Sequence, residues 1–323
     1  MWTETGWAIT DGYAGNRRQT EALAERLATS ARHCLIRPWG PCRWFAPRLL
    51  PGAGHALGTA FSELLAQPPA LAIGCGRQAA AATRWLRRAG SRTIQILDPR
   101  LDPSHWDLVV VPMHDPLRGS NVVTLLGSLN PVDDPWLEQA RRQFAGFAQF
   151  PSPRIAFLVG GPSRHAPWTD GDFETTLVGL ETRLRQQRGS ILATISRRTP
   201  HSIQRRLNDR LRHYPGLLWR AGDHAVNPYP GLLAWADRIV CTPDSVNMLS
   251  EACATRVPVY VAHPQKTQGR LRAFIDALHA RDRIRADDGT AEPFAVEPLR
   301  ETARVAELIQ RKLMSLPRPD IAE

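Results

Sequence analysis

Residues Ala236–Val261 read ADRIVCTPDSVNMLSEACATRVPVYV, and their pattern predicts strand, polar turn, helix and strand in that order. Arg238–Cys241 is a short β-type apolar run, and Thr242-Pro243-Asp244-Ser245 carries turn and cap chemistry. Val246, Met248, Leu249 and Ala252 follow at helical spacing, and Val257–Val261 is a second buried-strand run. Polar groups at the carboxyl end of a strand, opening a helix, are where open α/β sheets bind ligands. The N–H groups of a helix start favour an anion there, such as a phosphate. A plain structural role stands beside this one: Asp244 or Ser245 is a good N-cap, and Glu251 suits a solvated helix face. The recurrence of similar segments along the chain favours the ligand-binding reading.

The chain has 323 residues, of which 43% are hydrophobic, enough for two packed domains. No run reaches the roughly 18–20 apolar residues of a membrane span. The start, Met1 to Trp7 (MWTETGW), lacks a basic stretch followed by an apolar core. A cytoplasmic protein is expected, with attachment to the periphery of the inner membrane as a second option. The five cysteines (Cys34, Cys42, Cys75, Cys241, Cys253) form no C-x-x-C pair, which argues against a disulfide framework and a structural zinc site. Cys75 and Cys241 read as small core residues. The formal net charge is +10, and lysine occurs only at Lys266 and Lys312, so arginine carries the charge. Such a surface favours nucleotide phosphates or anionic lipid. Zinc-finger spacing, long basic runs and aromatic-studded basic sheet motifs are missing, so no nucleic-acid partner is expected.

Alternating β and α patterns predict doubly wound parallel sheets. Candidate strands are Trp7–Thr10, His33–Trp39, Leu71–Gly74, Thr93–Leu97 and Leu108–Pro112. Candidate helices lie near Gln19–Ala28, His55–Ala66 and Arg77–Ala89, with Asp11, Gly12 and Gly15 in a flexible loop. A proline-rich stretch at Pro151–Pro153 suggests a boundary, giving domains over 1–150 and 151–298 and an amphipathic tail helix over 299–323. The two α/β domains are expected to face a central cleft, a common place for ligands.

Three strand-end segments of the second half supply candidate nucleotide-diphosphate-binding residues. Gly160-Gly161-Pro162-Ser163 lets the backbone approach a ligand, with Ser163 as donor. Ser196-Arg197-Arg198-Thr199 offers guanidinium groups, whose fork suits phosphate. Thr242, Asp244, Ser245, Asn247 and Glu251 form the third set, with Glu251 able to accept from ribose hydroxyls. In the first half, Gly12 adjoins Asp11 at a strand end, and His114-Asp115 follows another strand. Asp11 or His114 is the candidate general base. No G-x-G-x-x-G follows the first strand, and the P-loop, H-E-x-x-H and G-x-S-x-G are absent; no cofactor or metal is expected.

Taken in order, WAITDGYAGNRRQT, PMHD, NVVTLLGSLN, VGGPS, SRRTP, NPYPGLLAWAD and TPDSVNMLSEA resemble the mitochondrial-fission "elongated mitochondria" family and its bacterial relatives. The resemblance covers roughly Trp7 to Val261 and implies the two-domain GT-B architecture of nucleotide-sugar glycosyltransferases. It further implies, by similarity to the donor-site segment of the N-acetylglucosaminyltransferase that makes lipid II, that Glu251 meets the donor ribose and that Asp244 and Ser245 lie nearer the diphosphate or sugar. GT-B proteins commonly end in a helix that crosses back onto the first domain, as Leu299–Leu316 would. The expected function is metal-independent glycosyl transfer to an unknown acceptor, with a lipid-linked acceptor or an anionic membrane surface as candidate partners. The alternatives are a non-catalytic adaptor with a protein partner, as eukaryotic members of that family are described, and a nucleoside-diphosphate-sugar epimerase.

Overall fold

The computed structural model describes residues 3–49, 53–220, 226–289 and 292–316. The chain divides into two compact units, one of residues 1–131 with 301–323 and the other of residues 132–300. The helix Asp134–Gln143 and the Pro151–Pro153 stretch both belong to the second unit.

In the first unit, β1 (Thr3–Thr10), β2 (Ala28–Leu35), β3 (Leu71–Cys75), β4 (Arg92–Ile96), β5 (Leu108–Pro112) and β6 (Val122–Leu125) form one sheet. Its order is β2-β1-β3-β4-β5-β6 and every neighbouring pair is parallel. β3, β4 and β5 are buried at every residue, as strands must be when helices cover both faces of a sheet. The period of two sorts their side chains. Leu71, Ile73, Ile94, Ile96, Leu108 and Val110 enter one core cluster, while Ala72 and Val109 face the other way. The helix Glu301–Ser315 lays Val305, Ala306, Ile309 and Leu313 into the first of these clusters. Its attachment is also polar: Leu126 N–H donates to the Glu301 carboxylate at 2.8 Å, and Thr302 Oγ1 donates to Asn130 O at 2.7 Å.

The second unit repeats the plan with β7 (Arg154–Val159), β8 (Ser190–Ile195), β9 (Gly216–Arg220), β10 (Arg238–Cys241), β11 (Val259–Val261) and β12 (Ile284–Ala286). The order β12-β11-β10-β7-β8-β9 is again all parallel. Counted within the unit this is 6-5-4-1-2-3, the doubly wound order, whose switch point lies between its first and fourth strands, here β7 and β10. In the first unit the corresponding point lies between β1 and β3.

Several local expectations shift. The helix after β1 begins at Ala14, so Gly15 is helical and the loop shrinks to Asp11–Tyr13. Gly12 turns the chain there with φ 86°. The strand expected over His33–Trp39 lies earlier, at Ala28–Leu35, because parallel pairing with β1 sets its register. The structure adds β6, β12 and the helix Tyr229–Trp235, which are short and carry weak periodicity of their own. Cys75 and Cys241 are fully buried, and burial pushes both thiols up.

The packing of Glu301–Ser315 is testable. Ile309→Ala removes a fully buried side chain and should lower the stability of the first unit by about 2–5 kcal/mol. Urea unfolding would then begin earlier, and an unchanged transition would place this helix outside the core.

Candidate functional site

Three loops meet at the carboxyl ends of β7, β8 and β10, and one side chain ties them. Asp244 has no exposed side-chain surface. Its Oδ2 accepts from Gly161 N–H at 3.1 Å and from Arg198 Nη2 at 2.9 Å, and its Oδ1 accepts from Thr242 Oγ1 at 2.7 Å. Thr242 Oγ1 in turn accepts from Gly160 N–H at 2.8 Å. On the β8 side, buried Thr199 donates to Gly160 O at 2.5 Å, and Ser196 Oγ accepts from Arg198 N–H at 3.2 Å. The glycines are required by space. A Cβ on Gly160 would stand 2.0 Å from Asp244 Oδ2, and one on Gly161 would stand 2.3 Å from Arg198 O.

Ser245 is the N-cap of the helix Val246–Cys253 and accepts from Met248 N–H at 3.3 Å. Asn247 is half-buried in the first turn of that helix. Glu251, one turn further on, is only 2% exposed and accepts from the Tyr229 hydroxyl at 2.6 Å. The far end of the helix is closed by buried Arg283, which donates to Cys253 O at 2.8 Å and Thr255 O at 2.9 Å. A cation there complements the helix dipole.

The structure thus gathers Gly160, Gly161, Ser196, Arg198, Thr242 and Asp244 into one hydrogen-bonded set, with Ser245, Asn247 and Glu251 on the adjoining helix. Arg197 is exposed beside Arg198. Ser163 lies further along the loop, where it pairs with Ala166 by backbone hydrogen bonds. Two members, Thr199 and Tyr229, escaped the sequence reading. Thr199 lies in the Ser196–Pro200 segment, where an uncharged hydroxyl beside two arginines carries no signal of its own. Tyr229 opens a helix too short to show a period.

The two candidate bases belong to the first unit. Asp11 Oδ1 accepts from Asn16 Nδ2 at 3.1 Å and from Tyr13 N–H at 3.4 Å, at the switch point beside β1. His114 is half-buried in the turn after β5. β3 and β4 lie between β1 and β5, so at about 4.8 Å per strand the two loops are about 14 Å apart and cannot act on one proton.

A second polar cluster borders the β7 loop. Lys266 Nζ donates to Asp172 Oδ2 at 2.7 Å, and His263, with φ 45°, approaches Asp172 O at 2.8 Å. Burial works to raise the Asp172 carboxyl, but hydrogen bonds from Lys266 and Thr169 hold it down at about 2. Among the described residues, no group of three or more His, Cys, Asp or Glu side chains is placed to hold a metal ion.

Residues 14–313 match the family described as Mitochondrial fission ELM1. The chain belongs to that family. The mitochondrial fission protein ELM1 of Arabidopsis thaliana is 29% identical over 276 residues, covering 76% of this chain. The match spans only 64% of the plant protein's own length. An uncharacterized protein of Rickettsia prowazekii is 21% identical over 94% of this chain and 97% of its own. Among solved structures, a UDP-GlcNAc 2-epimerase from Neisseria meningitidis superposes with a TM-score of 0.57 at 12% identity, covering 98% of this chain and all of the epimerase chain. That likeness concerns the fold, which is GT-B-like with two Rossmann-like units.

Two substitutions test the geometry. Gly160→Ala drives a methyl into the Asp244 carboxylate and should destabilise the second unit by about 1–3 kcal/mol, measured by chemical unfolding; a neutral result would remove the close approach. Asp172, held below its ordinary value, stabilises the fold above about pH 4, and this contribution is lost as pH falls toward about 2. Lys266→Met should therefore move the onset of acid unfolding to higher pH in a circular dichroism titration.

Proposed function

We propose that the second unit binds a nucleotide sugar at the carboxyl ends of β7, β8 and β10, and that the protein transfers the sugar to an acceptor without a metal ion. The observation that carries this reading is the glycine pair at the switch point, pressed against loops that bring Arg198, Ser245 and Glu251 to one end of one sheet. Arg198 gives one donor to Asp244 while its side chain stays 56% exposed, which leaves the rest of its fork for a diphosphate. Arg197 and the start of the helix Val246–Cys253 add positive potential beside it. Developing charge on a leaving diphosphate would be stabilised by these fixed groups. Glu251 is the ribose acceptor in this reading, and the Tyr229 hydroxyl holds its place until a ribose hydroxyl arrives. The Neisseria epimerase was crystallised with UDP-GlcNAc, so a UDP sugar is the first donor to test.

A second reading, a GT-B-shaped adaptor without chemistry, draws on the same loop. Both glycine N–H groups are already engaged, by Thr242 and Asp244, and Pro162 has none to offer. A site whose backbone donors are satisfied internally is suited to presenting a rigid surface to a protein partner.

A thermal-shift series with UDP-, GDP-, ADP-, CMP- and dTDP-sugars separates the two, because a ligand of the native state raises the melting temperature. The expected result is a shift with one nucleotide, lost in Glu251→Ala. Tyr229→Phe should lower the ligand-free melting temperature yet enlarge the ligand-induced shift. A flat response to every nucleotide would favour the adaptor.

A further inference from the structure

We propose that the segment from Ile36 to Leu49 in the first unit docks on an anionic phospholipid bilayer, with Trp39, Trp44 and Phe45 at headgroup level and Arg37, Arg43 and Arg48 facing lipid phosphates. The proposal is independent of the nucleotide-sugar reading.

The aromatic exposure comes first. Trp39 is 70% exposed, Trp44 80% and Phe45 52%. Among the described residues these are the two exposed tryptophans, since the rest are buried or half-buried. The three rings and Arg43 border one open hollow of about 530 Å³. An indole has an apolar body and a polar N–H, which is why tryptophan concentrates at membrane–water boundaries. The segment is held in place rather than trailing. Arg37 N–H donates to Leu57 O at 2.9 Å and Trp39 N–H to Ala56 O at 3.2 Å. Arg84 Nη1 donates to Pro47 O at 2.9 Å, and Arg77 Nη2 to Arg43 O at 3.4 Å.

Charge supplies the second argument. Between Arg26 and Leu97 the chain carries ten arginines and a single acidic residue, Glu63, so this stretch holds +9 of the formal +10. Arg37, Arg43 and Arg48 are all exposed. Beside the aromatic rings, a second cavity of about 480 Å³ is lined by Arg48, Arg84, Arg88, Trp85 and His105, together with Leu49 and Leu101 and no acidic side chain. Its size and sign suit a phosphate-bearing headgroup, and Arg48 and Leu49 join it to the proposed docking segment. No described helix is long and apolar enough to cross a membrane; the proposed contact is one at the bilayer surface. A single-stranded nucleic acid would also stack on tryptophan. Residues 31–66, however, contain no asparagine or glutamine for base edges, while Leu35 and Phe45 add purely apolar exposed surface.

The test is vesicle flotation of the 323-residue protein. Binding is expected to vesicles of phosphatidylcholine containing one third phosphatidylglycerol, not to phosphatidylcholine alone, and should weaken as salt rises above about 0.1 M. Arg43→Gln with Arg48→Gln should lower partitioning roughly 30-fold, at about fivefold per arginine. Trp39→Ser with Trp44→Ser should lower it on the order of tenfold. Circular dichroism and melting of each variant report the fold; Trp44→Ser alone serves if the double variant unfolds. Equal binding to neutral and anionic vesicles, no binding to either, or full binding by the folded tryptophan variant would overturn the proposal. So would tryptophan-dependent binding of a single-stranded oligonucleotide in place of vesicles.

Discussion

The Asp244 carboxylate, without exposed side-chain surface, sets the geometry at the switch point of the second unit. A buried carboxylate without donors would cost several kcal/mol, so it must be surrounded by them. The donors come from three separate loops: Gly161 after β7, Arg198 after β8 and Thr242 after β10. Each loop is thereby fixed relative to the other two. The glycines follow from the same constraint, because the carboxylate occupies the space a Gly160 side chain would need. So does the division of labour at the site: the Gly161 N–H serves the carboxylate, and anion-binding capacity moves outward to the arginines and the helix start.

The helix Val246–Cys253 depends on its surroundings in a similar way. Eight residues are too few to form a stable helix in isolation. Ser245 closes its first turn and Arg283 gathers the carbonyls at its last, so tertiary contacts hold both ends. Its buried Glu251 is matched by the Tyr229 hydroxyl.

Both units are six-stranded parallel sheets, but their strand orders differ, 2-1-3-4-5-6 in the first and 3-2-1-4-5-6 in the second, and so does their decoration. The first carries its arginines with almost no compensating acid between residues 26 and 97. The second pairs many of its own: Arg183 with Asp287, Arg210 with Glu174 and Glu181, Arg256 and Arg300 with Asp134. Hydrogen bonds from Arg300 and Arg256 hold the Asp134 carboxyl well below its ordinary range.

The sequence by itself determined the α/β alternation, the buried strands such as Leu71–Cys75 and Leu108–Pro112, the turn-and-cap segment Thr242–Ser245, and the strand-end position of Gly160-Gly161 and Ser196–Arg198. These are encoded locally, in runs of apolar residues and in the chemistry of turns. Tertiary structure alone decided that Asp244 would point inward to bind Gly161 and Arg198, that Glu251 would be buried against Tyr229, and that Ile309 would pack among strands some two hundred residues earlier. Strand order decided that Asp11 and His114 follow separate strands with two others between them. The physical reason is the same in each case. Periodicity reports which face of an element is buried, whereas the partner of a buried polar group is chosen by chain crossovers that bring distant segments together.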